Sequence, residues 1–122
     1  IIADEDLKVA KAFDMLPAEA YLPDGRTPND SATVRAVFIV GPDKKLKLSM
    51  TYPMSVGRNF AEVLRPLDGL QMSSGKGVAT PANWNVGDDV IIPTSVSDAD
   101  AKAKFGEFTT VLPYLRTTNA PA

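Results

Sequence analysis

Two arginines are the residues of this chain best placed to do chemistry, and both stand where a positive charge is unusual. Arg35 interrupts the apolar, β-branched run Ala32-Thr33-Val34-Arg35-Ala36-Val37-Phe38-Ile39-Val40. On the two-residue period of a strand it shares a face with Thr33, Val37 and Ile39, and the other face is Val34, Ala36, Phe38 and Val40. Both faces are apolar, which predicts a strand buried on both sides. A buried guanidinium needs a carboxylate partner or a bound anion. Arg58 lies between Gly57 and Asn59, at the start of a predicted helix, where a cation faces the positive end of the dipole. An anion held at that helix start would offset the mismatch. The bland alternatives are an Arg35 ion-paired near the strand end and a solvated surface Arg58.

The rest of the chemical inventory is thin. The chain has no cysteine and no histidine. It therefore has no thiol nucleophile, no imidazole base, no disulfide and no Cys/His zinc site. Asp4-Glu5-Asp6 reads as charge at a helix start, and its spacing is not that of a calcium loop. Asp88-Asp89 is a turn signal and Lys44-Lys45 a solvated turn pair. Trp84, the lone tryptophan, reads as core packing. Gly75-Lys76-Gly77 lacks the frame of a phosphate-binding loop, and there is no dinucleotide fingerprint, so no cofactor is expected. A carboxylate-based hydrolase finds no paired carboxylates to carry it.

Composition narrows the setting. The 122 residues suit one domain with a real core. The net charge of −2 gives no basic footprint for nucleic acid or membrane surfaces. No apolar run approaches the roughly 20 residues of a membrane span. A cytoplasmic location is the default expectation. The opening Ile1-Ile2-Ala3-Asp4 lacks a signal peptide's basic start and reads as entry in mid-strand, so a processed or partial chain is expected.

These residues need a scaffold, and its elements can be read in order. Leu7, Val9, Ala10 and Phe13 predict a short helix behind the acidic triplet, ended by Pro17. Tyr21 to Ser31 reads as a loop. Ala32 to Val40 and the alternating Leu46, Leu48 and Met50 predict a hairpin around the turn Gly41 to Lys45. Asn59 and Glu62 have capping-box spacing before Phe60, Val63, Leu64, Leu67 and Leu70 at helical intervals. Pro66 predicts a bend or an early end there. Ser73 to Gly77 reads as a linker, Gly87-Asp88-Asp89 as a turn and Val90 to Ile92 as a short strand. Ser97 caps a short helix ending near Phe105. Phe108 to Thr118 reads as one extended segment, and Asn119 to Ala122 as a mobile tail.

Several blocks then match a known family in order. Arg35 to Leu48 resembles the arginine strand and hairpin of the one-cysteine peroxiredoxins, peroxiredoxin 6 type. Tyr52-Pro53 followed by Gly57-Arg58-Asn59-Phe60 resembles that group's Tyr-Pro…Gly-Arg-Asn motif. Glu62 to Arg65, Leu70-Gln71, Val78 to Trp84, Gly87-Asp88 and Tyr114-Leu115-Arg116 continue in register. The similarity spans essentially the whole chain. The loop Tyr21 to Ser31, Pro66 and the short stretch 106–114 depart from the usual pattern.

The resemblance implies an α/β chain: residues 1–72 as the C-terminal half of a thioredoxin-like domain, and residues 73–122 as the peroxiredoxin extension used in dimerisation. It implies a thiol peroxidase acting on hydrogen peroxide and organic hydroperoxides. Arg35 would hydrogen-bond the active-site sulfur and the peroxide, and Arg58 would support Arg35. The peroxidatic cysteine would lie on an N-terminal segment outside this chain, with a thiol reductant and a homodimer as further partners. Asp43 matches an Asp of the phospholipase triad proposed for some members, whose Ser and His would also lie upstream. Two functions follow: an arginine-bearing half of a peroxidase, inert alone, or a non-catalytic dimerisation module with structural arginines. A thioredoxin-like sheet without its first strands also predicts a chain unstable as a lone monomer.

Overall fold

The computed structural model describes residues 3–16 and 32–122. The expectations for Ile1-Ile2, for Pro17 and for the Tyr21 to Ser31 loop lie outside the described residues. The chain divides into two compact units, Ile1–Asn59 and Phe60–Ala122.

The first unit contains helix α1 (Lys8–Ala12) and the antiparallel hairpin β1 (Arg35–Val40) and β2 (Leu46–Tyr52). The acidic triplet sets the start of α1. Asp4 accepts from the backbone N–H of Val9 and Ala10 through its two carboxylate oxygens, at 2.9 and 2.8 Å. It thereby satisfies donors that a helix start leaves without partners. Ala10 and Leu16 are buried, with Leu7 and Met15 packed against them. The hairpin registers Arg35 with Tyr52 and Val37 with Met50. Its second strand alternates from Leu48 onward as its sequence predicts: Leu48, Met50 and Tyr52 are half-buried and Lys47, Ser49 and Thr51 exposed, while Leu46, predicted to face inward, is exposed.

The first strand corrects one expectation. β1 is not buried on both sides: Arg35 and Val40 are exposed and the residues between them only half-buried. Among the described residues β1 pairs with β2 alone. Apolar side chains state which faces avoid water, but they do not supply the layers that cover those faces. Phe13 covers part of one face, its ring centroid 4.9 Å from that of Phe38.

The second unit runs from α2 (Phe60–Lys76) through β3 (Val90–Ile92), α3 (Asp98–Phe105), β4 (Thr109–Leu112) and β5 (Leu115–Thr118). Three strands form an antiparallel sheet in the order β3-β5-β4. The core is Val78, Trp84 and Val90, with Met72, Phe105 and Ala120 packed against it. Trp84 is 2% exposed and its indole N–H donates to the Asp88 carbonyl at 3.0 Å. Gly87, at φ 101°, makes the turn that brings that carbonyl back. Gly69 lets α2 approach Thr80, whose Oγ1 lies 3.3 Å from where a Cβ would sit.

Three further expectations change here. α2 does not end at Pro66 but runs on to Lys76, into the predicted linker, where the Ser73 and Ser74 hydroxyls donate to the Gly69 and Leu70 carbonyls, each at 2.7 Å. The predicted single segment Phe108 to Thr118 is a hairpin turning at Pro113-Tyr114. The tail predicted to be mobile is tied down: Ala120 packs on the Trp84 cluster, and Lys76 Nζ donates to the Ala122 carbonyl.

Candidate active-site arginines

Arg35 is the first residue of β1, opposite the last residue of β2. Pro53 follows β2 directly and has no N–H to extend the ladder. The chain turns there, closed by the Val56 N–H donating to the Pro53 carbonyl at 2.9 Å. The turn presents the Val56 carbonyl to the strand, and Arg35 Nη1 donates to it at 3.0 Å. One of the five guanidinium N–H donors is thus anchored on the backbone. Val56 O is the one partner of Arg35 among the described residues, and no carboxylate pairs with it.

Arg58 follows two residues after Val56, in the exposed stretch before α2. Among the described residues it makes neither a hydrogen bond nor an ion pair. The same short loop therefore supplies the carbonyl that holds Arg35 and carries Arg58, which has no partner among the described residues. Among the described residues no carboxylate forms the ion pair of the bland alternative for Arg35. Its expected burial is not found either, for the reason given for β1.

The other charged residues do structural work. Asp43 accepts from Lys47 Nζ at 2.7 Å and from the Lys45 N–H at 3.2 Å, which holds its carboxyl below the usual range. Its exposed position in the hairpin turn bonds it to its own strand. Asp6, bonded by Lys8, is lowered in the same way. Arg65 donates to both oxygens of Glu62 at 2.6 and 2.8 Å, lowering the carboxyl and raising the guanidinium. A cavity of about 400 Å³ lies on the second unit, lined by Ala61, Leu64, Arg65, Asp68, Trp84, Asn85 and Val86. Neither Arg35 nor Arg58 lines it.

Sequence reasoning missed Arg116. It lies in β5 with its side chain 8% exposed, and it donates to Asp98 Oδ1 at 2.6 Å and to the Pro93 and Val96 carbonyls at 2.8 and 2.6 Å. The available signal was an Arg alternating with Thr118 on one face of a short strand, the two being the buried polar residues.

A family model for the C-terminal domain of 1-Cys peroxiredoxin matches residues 69–107. The mitochondrial peroxiredoxin PRX1 of Saccharomyces cerevisiae is 50% identical over 122 residues, covering 98% of this chain and 45% of its own length. The chain belongs to the 1-Cys peroxiredoxin family. Peroxiredoxin-6 of Gallus gallus is 46% identical over 127 residues, covering 99% of this chain and 55% of that protein. The crystal structure of a cysteine-to-serine variant of peroxiredoxin 6 from Arenicola marina superposes with a TM-score of 0.84 at 46% identity. It covers 99% of this chain and 56% of that one. A structure of the yeast mitochondrial 1-Cys peroxiredoxin, described with glutathione and thioredoxin systems, gives a TM-score of 0.80 at 50% identity over 93% of this chain and 52% of that one.

The chain spans about half the length of the curated relatives it matches. Its fold is α/β, the C-terminal part of a thioredoxin-like peroxiredoxin. No helix among the described residues is long and apolar enough to cross a membrane. With no cysteine, this 1-Cys peroxiredoxin chain has no thiol to act as the peroxidatic nucleophile.

Proposed function

We propose that this chain supplies the arginine side of a thiol peroxidase that reduces hydrogen peroxide and organic hydroperoxides. The peroxidatic cysteine belongs to an N-terminal peroxiredoxin segment outside this chain. The observation that carries the reading is Arg35 itself, held on the Val56 carbonyl with its remaining donors free of any carboxylate among the described residues. A fixed, permanently charged guanidinium favours the thiolate of a nearby thiol. Attack of that thiolate on the peroxide breaks the O–O bond, gives a sulfenic acid and releases water or an alcohol. Arg35 stabilises the charge that develops on the leaving oxygen. Arg58, from the same loop, adds a second positive charge.

The test is complementation. The chain is mixed with a cysteine-bearing N-terminal peroxiredoxin segment, and thiol-dependent peroxide consumption is followed. Activity is expected from the mixture and not from either part. Replacing Arg35 by Met is expected to lower it by about 100-fold or more. Full activity of the Arg35→Met mixture refutes the reading.

The same proposal includes a thiol reductant, a homodimer, and a division into residues 1–72 as thioredoxin-like half and 73–122 as extension. Sedimentation of the chain with and without the complementing segment tests the assembly. A cytoplasmic setting is part of the reading, although the similar yeast protein is named mitochondrial; imaging a tagged chain decides between them.

A further inference from the structure

We propose that Met54 is the methionine at which hydroperoxides oxidise the folded chain, a reversible modification site in the loop that anchors Arg35. A thioether sulfur attacks the terminal oxygen of a hydroperoxide. The S–O bond forms as the O–O bond breaks, the leaving oxygen takes a proton to depart as water or an alcohol, and methionine becomes the sulfoxide. Access of the peroxide to the sulfur therefore sets which methionine reacts.

The four methionines differ sharply in that respect. Met54 is 52% exposed. Met15 packs against Ala10 and Leu16, and Met72 against the Trp84 cluster. Met50 is half-buried within β2, paired with Val37.

Position gives the site its second property. Met54 lies inside the turn that the Val56 N–H closes on the Pro53 carbonyl, and that turn presents the Val56 carbonyl to Arg35. The bonds that hold the turn and the arginine are backbone bonds on the turn's side, not bonds to the Met54 thioether. An oxygen added there makes an exposed side chain polar and leaves those bonds in place. The same change at Met15 or Met72 would put a polar group into a packed cluster. The chain can thus carry sulfoxide at Met54 and remain folded. The inference needs only a hydroperoxide and the folded chain, and it stands or falls separately from the complementation result.

The folded chain is exposed to hydrogen peroxide, quenched at intervals and digested with trypsin, and added oxygen is assigned by fragment-ion mass spectrometry. Fragment ions are required because Met50 and Met54 share the peptide Leu48 to Arg58. Met54 is expected to oxidise several-fold faster than Met15, Met50 or Met72, and the preference should vanish in urea. Met54→Leu should leave the other three at their slow rates with an unchanged circular dichroism spectrum. Methionine sulfoxide reductases should return the oxidised chain to its starting mass. Equal oxidation of another methionine in the folded chain overturns the proposal, as does a preference that survives in urea or an oxygen that the reductases do not remove.

Discussion

Arg116 and Asp98 are joined by a 2.6 Å bond between Nη1 and Oδ1, and the same guanidinium holds the Pro93 and Val96 carbonyls through Nη2. One side chain of β5 thus fixes the segment that leads from β3 into α3. Arg116 is buried while Asp98 is 79% exposed, so the two ends of the pair are not equivalent. Arg116→Ala is expected to cost about 2–4 kcal/mol, because it strands two carbonyls and a space that water must fill. Asp98→Asn is expected to cost under about 1 kcal/mol. Arg116→Lys should fall between them, since a single ammonium cannot reproduce the fork. Urea titrations followed by far-ultraviolet circular dichroism give the three values.

Ser97 accepts from the Asp100 N–H at 3.1 Å, and its hydroxyl donates to the Asp100 carboxylate at 2.7 Å. α3 is only eight residues long, so its first turn matters. Ser97→Ala should lower stability by about 1 kcal/mol, and Ser97→Gly by a few tenths. The urea midpoint of each variant checks the order.

Pro66 sits inside α2 and can donate no backbone bond. The helix nevertheless runs on to Lys76, so the proline is tolerated at a cost. Pro66→Ala should add about 1–3 kcal/mol and increase the helical signal. A loss of thermal midpoint in this variant would show that a bend at Pro66 is needed.

The Glu62–Arg65 pair gives a pH dependence of known sign. Arg65 holds the Glu62 carboxyl below its ordinary value of 4.5. The folded form therefore binds a proton less readily than the unfolded form, and the pair stabilises fully above the unfolded value. That contribution is lost as pH falls through the lower folded value. Glu62→Gln should flatten the acid side of the stability profile as pH falls below the ordinary carboxyl value of 4.5, with little change near neutrality beyond the lost pair. Both side chains are partly exposed, so the effect is small and should fade in high salt. Urea midpoints across that range, with and without added salt, test it.

How much of this could be read in advance depended on whether the signal was local. The β1–β2 hairpin was legible because Leu46, Leu48 and Met50 alternate with Lys47 and Ser49 behind a turn-forming Gly41-Pro42-Asp43. α3 was legible from Ser97. The end of α2 was not, because Ser73 and Ser74 look like linker residues until their hydroxyls find carbonyls one turn back. The exposure of Arg35 was not legible either. Apolar neighbours on both faces do not say what covers them, and among the described residues β1 has one partner strand. Arg35 and Arg58 were found as anomalies of type and place. The bond from Arg35 to the Val56 carbonyl was not, since a side chain bonded to a backbone carbonyl leaves no mark on residue identity. Arg116 escaped notice because its partners are mostly main-chain atoms contributed by a distant loop.

Trp84 is the chain's one tryptophan, and it lies in the cluster of the second unit with Val78 and Val90. The first unit has its own small cluster around Ala10 and Leu16. Indole fluorescence therefore reads directly the environment of the Val78–Trp84–Val90 cluster in the unit Phe60–Ala122. The hairpin that carries Arg35 has no tryptophan of its own to report on it. A second label, placed in the hairpin, is needed before any unfolding curve is assigned to the whole polypeptide.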